Sequence, residues 1–191
     1  MFIEQMPYDS RKHGWIEVIC GSMFSGKTEE LIRRIKRIKF TDQTIEVYKP
    51  KLDDRYHKTK VVSHDDADFE AITVLNAEEI KKKFKRSDVV AIDEAQFFDE
   101  GLFEVCNWLA SQKVRVIVAG LDMDYAGKPF GPMPNLMATA EYVTKVHAIC
   151  VKCGSLANFS YRITDNKNVI DVGEKDKYIP ICRSCFNKIE H

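Results

Sequence analysis

The chain has 191 residues, which is enough for one domain with or without a small appendage. Its 45% hydrophobic residues suffice for a buried core, and its 29 Lys and Arg residues balance 29 Asp and Glu residues to a formal net charge of zero. This balance gives no reason to expect a nucleic acid or a membrane as a partner. The apolar runs are also too short for a membrane span.

The first 14 residues are predicted to form a flexible arm. They carry charged Glu4, Asp9, Arg11 and Lys12 and lack the uninterrupted hydrophobic stretch of a secretory signal. The cytoplasm is therefore the expected compartment.

A phosphate-binding loop is the first recognisable motif. Residues 15–20 form a short apolar run typical of a buried strand, and apolar residues recur at helical spacing from Glu29 to Lys39. Between them lies the pattern G-x-x-x-x-G-K-[ST], in the order strand, loop, helix that such a loop requires. We therefore predict that the chain binds a nucleoside triphosphate. The predicted binding residues are Gly21, Ser22, Met23, Phe24, Ser25, Gly26, Lys27 and Thr28.

Each part of this loop has a chemical role. The two glycines let successive backbone N–H groups point at a phosphate, and the helix N-terminus adds its positive end. Lys27 is expected to reach the β- and γ-phosphates, and the Thr28 hydroxyl is expected to ligate Mg²⁺.

The next elements alternate between strands and helices. Strands are predicted at residues 45–48, 61–62, 71–74, 89–92 and 114–118, with helices over 99–111 and from the Asn76 cap to Phe84. This order predicts an α/β fold in which a parallel sheet of the P-loop (RecA-like) type is flanked by helices on both faces. Ligands bind such sheets beyond the carboxyl ends of the strands, where Gly21, Asp93 and Gly120 all lie.

Two acidic residues, Asp93 and Glu94, follow the predicted strand 89–92. In a P-loop enzyme, an acid here binds magnesium directly or through water, and the next acid can orient or deprotonate a nucleophile. Alone, the pair could equally be a solvated strand end. The P-loop upstream favours the functional interpretation.

Four of the six cysteines form two C-x-x-C pairs: Cys150, Cys153, Cys182 and Cys185. This spacing is typical of a structural Zn²⁺ site with no open coordination position. Two disulfides are the alternative, which a reducing cytosol disfavours. His147 could compete as a ligand, although four thiolates already complete a tetrahedron. Cys20 and Cys106 are interpreted as small buried apolar residues.

The character of the sequence changes from residue 143 onward. We predict a P-loop nucleotide-binding domain over residues 15–146 and a small zinc-clamped domain over 147–191, with a strand from Ser155 to Ile163. Because residues 142–147 contain no Pro/Gly linker, the second unit is expected to pack directly on the first.

Several segments together resemble the type II, zinc-containing thymidine kinases, in register from about residue 15 to 188. They are Gly-Ser-Met-Phe-Ser-Gly-Lys-Thr (21–28), Asp-Glu-Ala-Gln-Phe-Phe (93–98), Gly-Leu-Asp-Met-Asp-Tyr (120–125), Lys-Pro-Phe-Gly (128–131) and the paired cysteines. The resemblance implies a homotetramer that transfers the ATP γ-phosphate to the thymidine 5′-hydroxyl with Mg²⁺. It also implies inhibition by dTTP.

The same resemblance assigns catalytic and nucleotide-binding roles. Glu94 matches the catalytic base, and Lys27 and Arg55 match catalytic cations. Asp53 and Arg55 match an Asp-x-Arg motif near the magnesium and phosphates, where an arginine stabilises charge on the transferred group. Gln96 joins Asp53 and Asp93 among the nucleotide-binding residues. Without the resemblance, Asp53 and Arg55 would be interpreted as a local ion pair in an exposed loop.

A nucleoside pocket is also implied. It is lined by Met23, Phe97, Leu121, Tyr125, Phe130 and Tyr178, and by a lasso segment comprising Val169, Ile170, Asp171, Val172 and Gly173. In the lasso, backbone groups read the edge of the base, and zinc anchors both ends of the segment. Most family members carry Phe at the position of Tyr125, so a hydroxyl is expected to be added there.

Two other functions share parts of this pattern. A nucleic-acid-dependent ATPase with a zinc ribbon shares the P-loop and paired cysteines, but the neutral charge and the lack of a basic aromatic stripe disfavour it. A regulatory nucleotide binder would not need the intact set of Lys27, Thr28, Asp93 and Glu94.

Overall fold

The structure is a computed structural model that describes residues 13–51, 60–61, 69–164 and 177–189. Most of the predicted N-terminal arm lies outside these residues. The described strands are β1 (Trp15–Cys20), β2 (Ile45–Pro50), β3 (Lys60–Val61), β4 (Phe69–Glu70), β5 (Ile72–Val74), β6 (Val89–Ile92), β7 (Arg115–Gly120), β8 (Tyr142–Lys145), β9 (Ala148–Ile149), β10 (Leu156–Ala157), β11 (Phe159–Arg162) and β12 (Tyr178–Ile181). The described helices are α1 (Lys27–Ile38), α2 (Ala77–Lys83), α3 (Leu102–Ser111), α4 (Met133–Thr139) and α5 (Arg183–Asn187), with a 3₁₀ turn at Ala95–Phe97. Among these helices, none combines the length and apolar composition that crossing a membrane would require.

Six strands form the central sheet in the order β5-β2-β6-β7-β1-β8. Every neighbouring pair in it is parallel. The carboxyl ends of β1, β6 and β7 therefore lie at one edge of the sheet. The predicted phosphate loop follows β1 there, and the acidic pair follows β6. The predicted α/β fold is confirmed.

Helices cover both faces of this sheet. On one face α1 buries Leu31, Ile32, Ile35 and Ile38 against Val89, Ala91, Ile117 and Ala119 of the sheet. Burying each of these large side chains contributes about 1.5–3 kcal/mol. On the other face α2, α3 and α4 pack on the opposite side chains of β1, β6 and β7. Burial on both faces explains why these strands read as continuous apolar runs.

Several predicted boundaries were wrong. β2 continues through Pro50, where a break was predicted. Its pairing with β6 ends at Tyr48, so the missing N–H of Pro50 removes no bond from that ladder. Helix α3 begins at Leu102 rather than Asp99, because the Asp99 carboxylate accepts hydrogen bonds from the N–H groups of Gly101 and Ala77. α1 begins at Lys27, two residues earlier than predicted.

The remaining differences concern the predicted strand over 155–163, the edge strand β8 and two short helices. The predicted strand over 155–163 is divided into β10 and β11, which pair with different partners. The sequence analysis also missed β8, an edge strand with half-exposed Tyr142 and Val143, and the short helices α4 and α5.

The small C-terminal part consists of two hairpins, β9–β10 and β11–β12, around a core of its own. It contacts the P-loop directly, because the Ser22 hydroxyl donates to the carbonyl of Ala157 at 3.3 Å and the Met23 N–H donates to Ser160 Oγ at 2.9 Å.

A buried ion cluster ties α1 to the sheet. The Glu17 carboxylate on β1 accepts hydrogen bonds from Arg34 Nη1 at 2.6 Å, Arg115 Nε at 2.7 Å and the Trp15 indole N–H at 2.7 Å. Arg34 also donates to Thr144 of β8 at 2.9 Å. Burial alone would raise the pKa of Glu17, but its hydrogen bonds and the two arginine charges offset this effect and leave that pKa below its usual value.

Substituting Glu17→Gln is predicted to destabilise the fold by about 3–5 kcal/mol, because the buried guanidinium groups of Arg34 and Arg115 lose the charged carboxylate that they share. Denaturant unfolding would measure this loss. Since the pKa of Glu17 is depressed in the folded state, the stabilisation is complete at neutral pH and is lost as the pH falls through that pKa.

Glu30→Gln is the matched control, because Glu30 pairs with Arg34 and Arg33 from a more exposed position. It is expected to cost less than about 1 kcal/mol. If both substitutions lowered the free energy of unfolding equally, the buried cluster would not have the importance proposed for it.

Candidate active site

The P-loop leaves β1 at Cys20 in a conformation that needs its glycines. Gly21 has φ 149°, and a Cβ there would lie 2.2 Å from the carbonyl oxygen of Val146. Gly26 has φ 85° and immediately precedes α1. Both positions therefore require glycine, and the N-terminus of α1 faces the loop as a phosphate site requires.

Side chains of the loop are held by its own backbone. The Ser25 hydroxyl donates to the carbonyl of Ser22 at 2.7 Å, and Lys27 Nζ donates to the same carbonyl at 2.8 Å. Burial lowers the pKa of Lys27, while the nearby charges of Glu94, Asp93 and Asp122 oppose this effect. The lysine therefore lies among the acids at this edge of the sheet.

The acidic pair follows β6, which is the neighbour of β7 in the sheet. Asp93 is buried, and its backbone N–H donates to the carbonyl of Tyr48 on β2 at 3.0 Å. Burial, and then the charge of Glu94, raise the pKa of Asp93 to about 7. The two neighbours thus differ in character: Asp93 is enclosed, and Glu94 is exposed.

Glu94 is held in an unusual conformation. Its φ of 52° lies in the left-handed region, which costs a non-glycine residue on the order of 1–3 kcal/mol. Gln96 Nε2 donates to Glu94 Oε2 at 2.6 Å, and Gln96 Oε1 accepts the N–H of Leu121 at 2.8 Å. Buried Gln96 therefore connects the Glu94 carboxylate to the end of β7.

A magnesium ion fits the donors at this edge. Asp93 offers a carboxylate and Thr28 a hydroxyl, which are oxygen ligands of the kind that Mg²⁺ prefers. The negative charge of Asp93 is disfavoured by burial and by Glu94. A divalent cation would add to the positive charge of Lys27 and Lys49, which already favours the ionised form of Asp93.

The predicted pocket residues include two groups of contacting side chains. The rings of Phe97 and Phe130 meet edge to face with centroids 5.7 Å apart. Tyr125 lies in the same loop as Phe130 and carries the guanidinium of Arg162 on its ring, with Cζ 3.8 Å from the centroid. Tyr178 is bound to the same arginine through its hydroxyl.

Three polar groups at this edge were missed or left without a role. Ser160 and Arg162 were not singled out, because a lone polar residue in a short strand carries no signal before its neighbours are known. Asp122 is buried, and its Oδ2 lies 2.6 Å from Lys145 Nζ, whereas its Oδ1 accepts no hydrogen bond from a described residue.

Some predicted site residues lie outside the described residues. These are Asp53 and Arg55 of the Asp-x-Arg motif and Val169, Ile170, Asp171, Val172 and Gly173 of the lasso segment. Their roles stay predictions.

The four paired cysteines converge. Their Sγ atoms all lie within 4.8 Å of one another. Cys153 Sγ and Cys182 Sγ are 3.6 Å apart, close to the edge of about 3.8 Å that a tetrahedron with 2.3 Å Zn–S bonds requires. All six cysteines are free thiols, and His147 Nδ1 lies 2.5 Å from Asn158 Oδ1. The geometry therefore fits a four-cysteine metal site better than two disulfides.

Hydrogen bonds shift the pKa values of two of these thiols in opposite directions. Hydrogen bonds from Ser155 lower the pKa of Cys153 to about 6, whereas hydrogen bonding with Cys153 and Cys182 raises the pKa of Cys185 to about 12. Four crowded thiolates would repel one another. A divalent metal such as zinc removes this repulsion.

Comparison with known proteins identifies close relatives. The thymidine kinase family model matches residues 14–186. The thymidine kinase of Bacteroides fragilis (strain YCH46) is 54% identical over 98% of this chain and 94% of its own length. Those of Porphyromonas gingivalis (strain ATCC 33277) and Rhodothermus sp. (strain ITI 518) are 54% and 57% identical, over 97% and 91% of this chain and 91% and 81% of their own lengths.

A solved structure of a DNA replication initiation factor matches far more weakly. It has a TM-score of 0.41 and 14% identity, over 72% of this chain and 41% of its own. A similarity of this size does not bear on activity.

The P-loop, the acidic pair and the cysteine cluster thus occur in a chain whose relatives share more than half of its sequence over nearly its full length. The chain belongs to the thymidine kinase family.

Proposed function

We propose that the chain transfers the γ-phosphate of ATP to the 5′-hydroxyl of thymidine, giving dTMP. The observation that carries this proposal is the meeting of the P-loop, the Gln96-held Glu94 and the aromatic residues at one edge of the sheet, in a member of the thymidine kinase family. The family and the zero net charge do not favour the nucleic-acid-dependent ATPase.

Phosphoryl transfer divides the work among these residues. The P-loop backbone and Lys27 hold the β- and γ-phosphates, and Glu94 takes the proton of the attacking hydroxyl as the new bond forms. Mg²⁺ bound by Thr28 and Asp93 would offset the charge of the phosphates. Arg55, with Asp53 beside it, is proposed to stabilise charge on the transferred group.

The nucleoside is proposed to bind between the P-loop and the loop after β7. Met23, Phe97, Leu121, Tyr125, Phe130 and Tyr178 would line this pocket. The segment Val169–Gly173 would read the base through its backbone, because a wrong exocyclic group would leave buried partners unpaired.

Zinc is proposed to act at a distance from the chemistry. It would join Cys150 and Cys153 to Cys182 and Cys185 and thereby fix both ends of the chain between the two pairs. Residues 147–191 would then serve as the substrate domain, packed on the nucleotide-binding domain over 15–146.

Two further properties are implied by the family resemblance, and the cytoplasm is the compartment expected from the lack of a secretory signal. We propose a homotetramer inhibited by dTTP, acting in the cytoplasm, where the four free thiols would stay reduced and bind metal. Exposed apolar side chains on the small C-terminal part, Ile149, Val151 and Leu156, support self-association.

The direct test is phosphoryl transfer from ATP with Mg²⁺ to thymidine, deoxycytidine, deoxyadenosine and deoxyguanosine, with dTTP in a parallel series. We expect selective formation of dTMP and its suppression by dTTP. Turnover without nucleoside preference would refute the pocket assignment. ATP binding with no transfer to any nucleoside would refute the kinase and favour the ATPase or the regulatory binder.

Glu94→Gln keeps the size of the side chain and removes the base. We predict a fall in kcat of about 10²- to 10⁴-fold, because general base catalysis is lost. ATP affinity, measured by calorimetry, should stay nearly unchanged. Glu100→Gln is the matched control, since Glu100 is an exposed acid in the next turn. A Glu94→Gln enzyme with near-normal kcat would remove Glu94 as the base.

Cys153→Ser tests the metal site. We predict that bound zinc and the melting temperature fall together, because one of four ligands is lost. Cys106→Ala is the matched control: it removes a thiol buried in the main core, so it should lower stability while zinc content, measured by mass spectrometry, stays the same. Full zinc content in Cys153→Ser would contradict the four-cysteine site.

A further inference from the structure

Gln96 fills a narrow space between the acidic pair and the end of β7. The residue is buried, with 2% of its surface exposed. A Cβ on Gly120 would lie 2.9 Å from Gln96 Oε1, and a Cβ on Gly131, whose φ is 49°, would lie 2.5 Å from the Gln96 carbonyl oxygen. Glycine at both positions therefore lets β7 and the loop after it approach Gln96 this closely.

The side-chain amide of Gln96 is used at both of its ends. Its Nε2 donates to Glu94 Oε2 at 2.6 Å, and its Oε1 accepts the N–H of Leu121 at 2.8 Å. The reversed amide would place an oxygen against the Glu94 carboxylate and an N–H group against the Leu121 N–H. Since neither contact would then be a hydrogen bond, the partners determine the direction of the amide.

Glu94 needs such a partner, because its backbone and its side chain are constrained differently. The backbone is fixed in the turn: the N–H of Glu94 donates to Asp93 Oδ1 at 2.9 Å, and its carbonyl accepts the N–H of Phe97 at 3.1 Å. The side chain is exposed, and ordering a glutamate side chain costs up to about 1.5–2 kcal/mol of rotamer entropy. The hydrogen bond from Gln96 offsets this cost and selects one position for the carboxylate.

Packing alone does not account for a glutamine at this position. Burying an amide costs desolvation free energy that an apolar side chain of similar length, such as that of methionine, would avoid. What the amide adds is a fixed link from the segment after β7 to the Glu94 carboxylate.

We propose that Gln96 is a positioning residue for phosphoryl transfer, which holds the Glu94 carboxylate at a fixed place relative to the segment after β7. This inference rests on the proposed function, because it takes Glu94 as the base and places the nucleoside beside that segment. Gln96 acts through Glu94, in place of the nucleotide contact that the family resemblance implies.

The first test compares Gln96→Glu with the wild type, both full-length and zinc-loaded. This variant keeps the side-chain size and an acceptor for the Leu121 N–H, but it replaces the donor toward Glu94 by an oxygen. We expect kcat to fall on the order of 10- to 100-fold, the loss typical of a hydrogen bond to a charged group. The Kd values of ATP and thymidine, measured by calorimetry, should change less than about threefold. A raised ATP Kd with near-normal kcat would indicate a nucleotide contact and overturn the proposal.

The second test places Gln96→Met in two backgrounds, the wild type and Glu94→Gln. If Gln96 acts through the Glu94 carboxylate, the substitution should lower kcat on the order of 10- to 100-fold in the wild type. In the Glu94→Gln background, which already lacks the base, it should lower kcat no more than about threefold. Equal losses in both backgrounds would overturn the proposal, because Gln96 would then act independently of Glu94.

Further comparisons keep the test decisive. If Gln96→Met does not fold, a near-normal kcat in Gln96→Glu overturns the inference. Gln112→Glu is the matched control, because it makes the same chemical change at an exposed glutamine that follows α3. It should leave kcat and both Kd values unchanged. A wild-type enzyme that does not phosphorylate thymidine would refute the proposed function itself, whereas an active wild type with unaffected Gln96 variants would refute this inference alone.

Discussion

Parallel alignment of β1, β6 and β7 is the constraint on which the site depends. β6 and β1 both pair with β7 in parallel, so the segments that follow the three carboxyl ends lie at the same edge of the sheet. The P-loop, Asp93 and Glu94, and the loop from Leu121 to Phe130 are distant in sequence and adjacent in space for this reason. Gln96 links the segment after β6 to the segment after β7, because its side chain donates to the Glu94 carboxylate and accepts the N–H of Leu121.

The small C-terminal part completes this edge from outside the sheet. One face of β11 carries Ser160 to the P-loop and Arg162 to Tyr125, while the other face packs into the cysteine-bearing core. A metal held by the four cysteines would therefore stabilise the nucleoside side of the site without touching the phosphates. In such an arrangement, a structural ion would influence substrate binding at a distance from the chemistry.

The sequence was sufficient for the parts with strong local patterns. Residues 21–28, the acidic pair after β6 and the two C-x-x-C pairs were located because each motif is short and has a fixed spacing. Glu17 was not recognised as an ion-cluster residue, because one acid in the apolar run Trp15–Cys20 has partners on α1 and β7 that only folding reveals. The same holds for Arg162, whose partners Tyr125 and Tyr178 come from separate segments. Strand β8 was missed because, among the described strands, its half-exposed residues pair with β1 alone and show no alternation.

Both substrates are proposed to meet between the P-loop and the loop after β7, with Glu94 as the base. A crystal structure with thymidine and a non-hydrolysable ATP analogue with Mg²⁺ tests this most directly. We expect a Glu94 carboxylate oxygen about 2.6–3.2 Å from the thymidine 5′-oxygen, with the nucleoside against Tyr125 and Tyr178. A nucleoside bound elsewhere, or a 5′-oxygen beyond the reach of Glu94 even through one water, would contradict it.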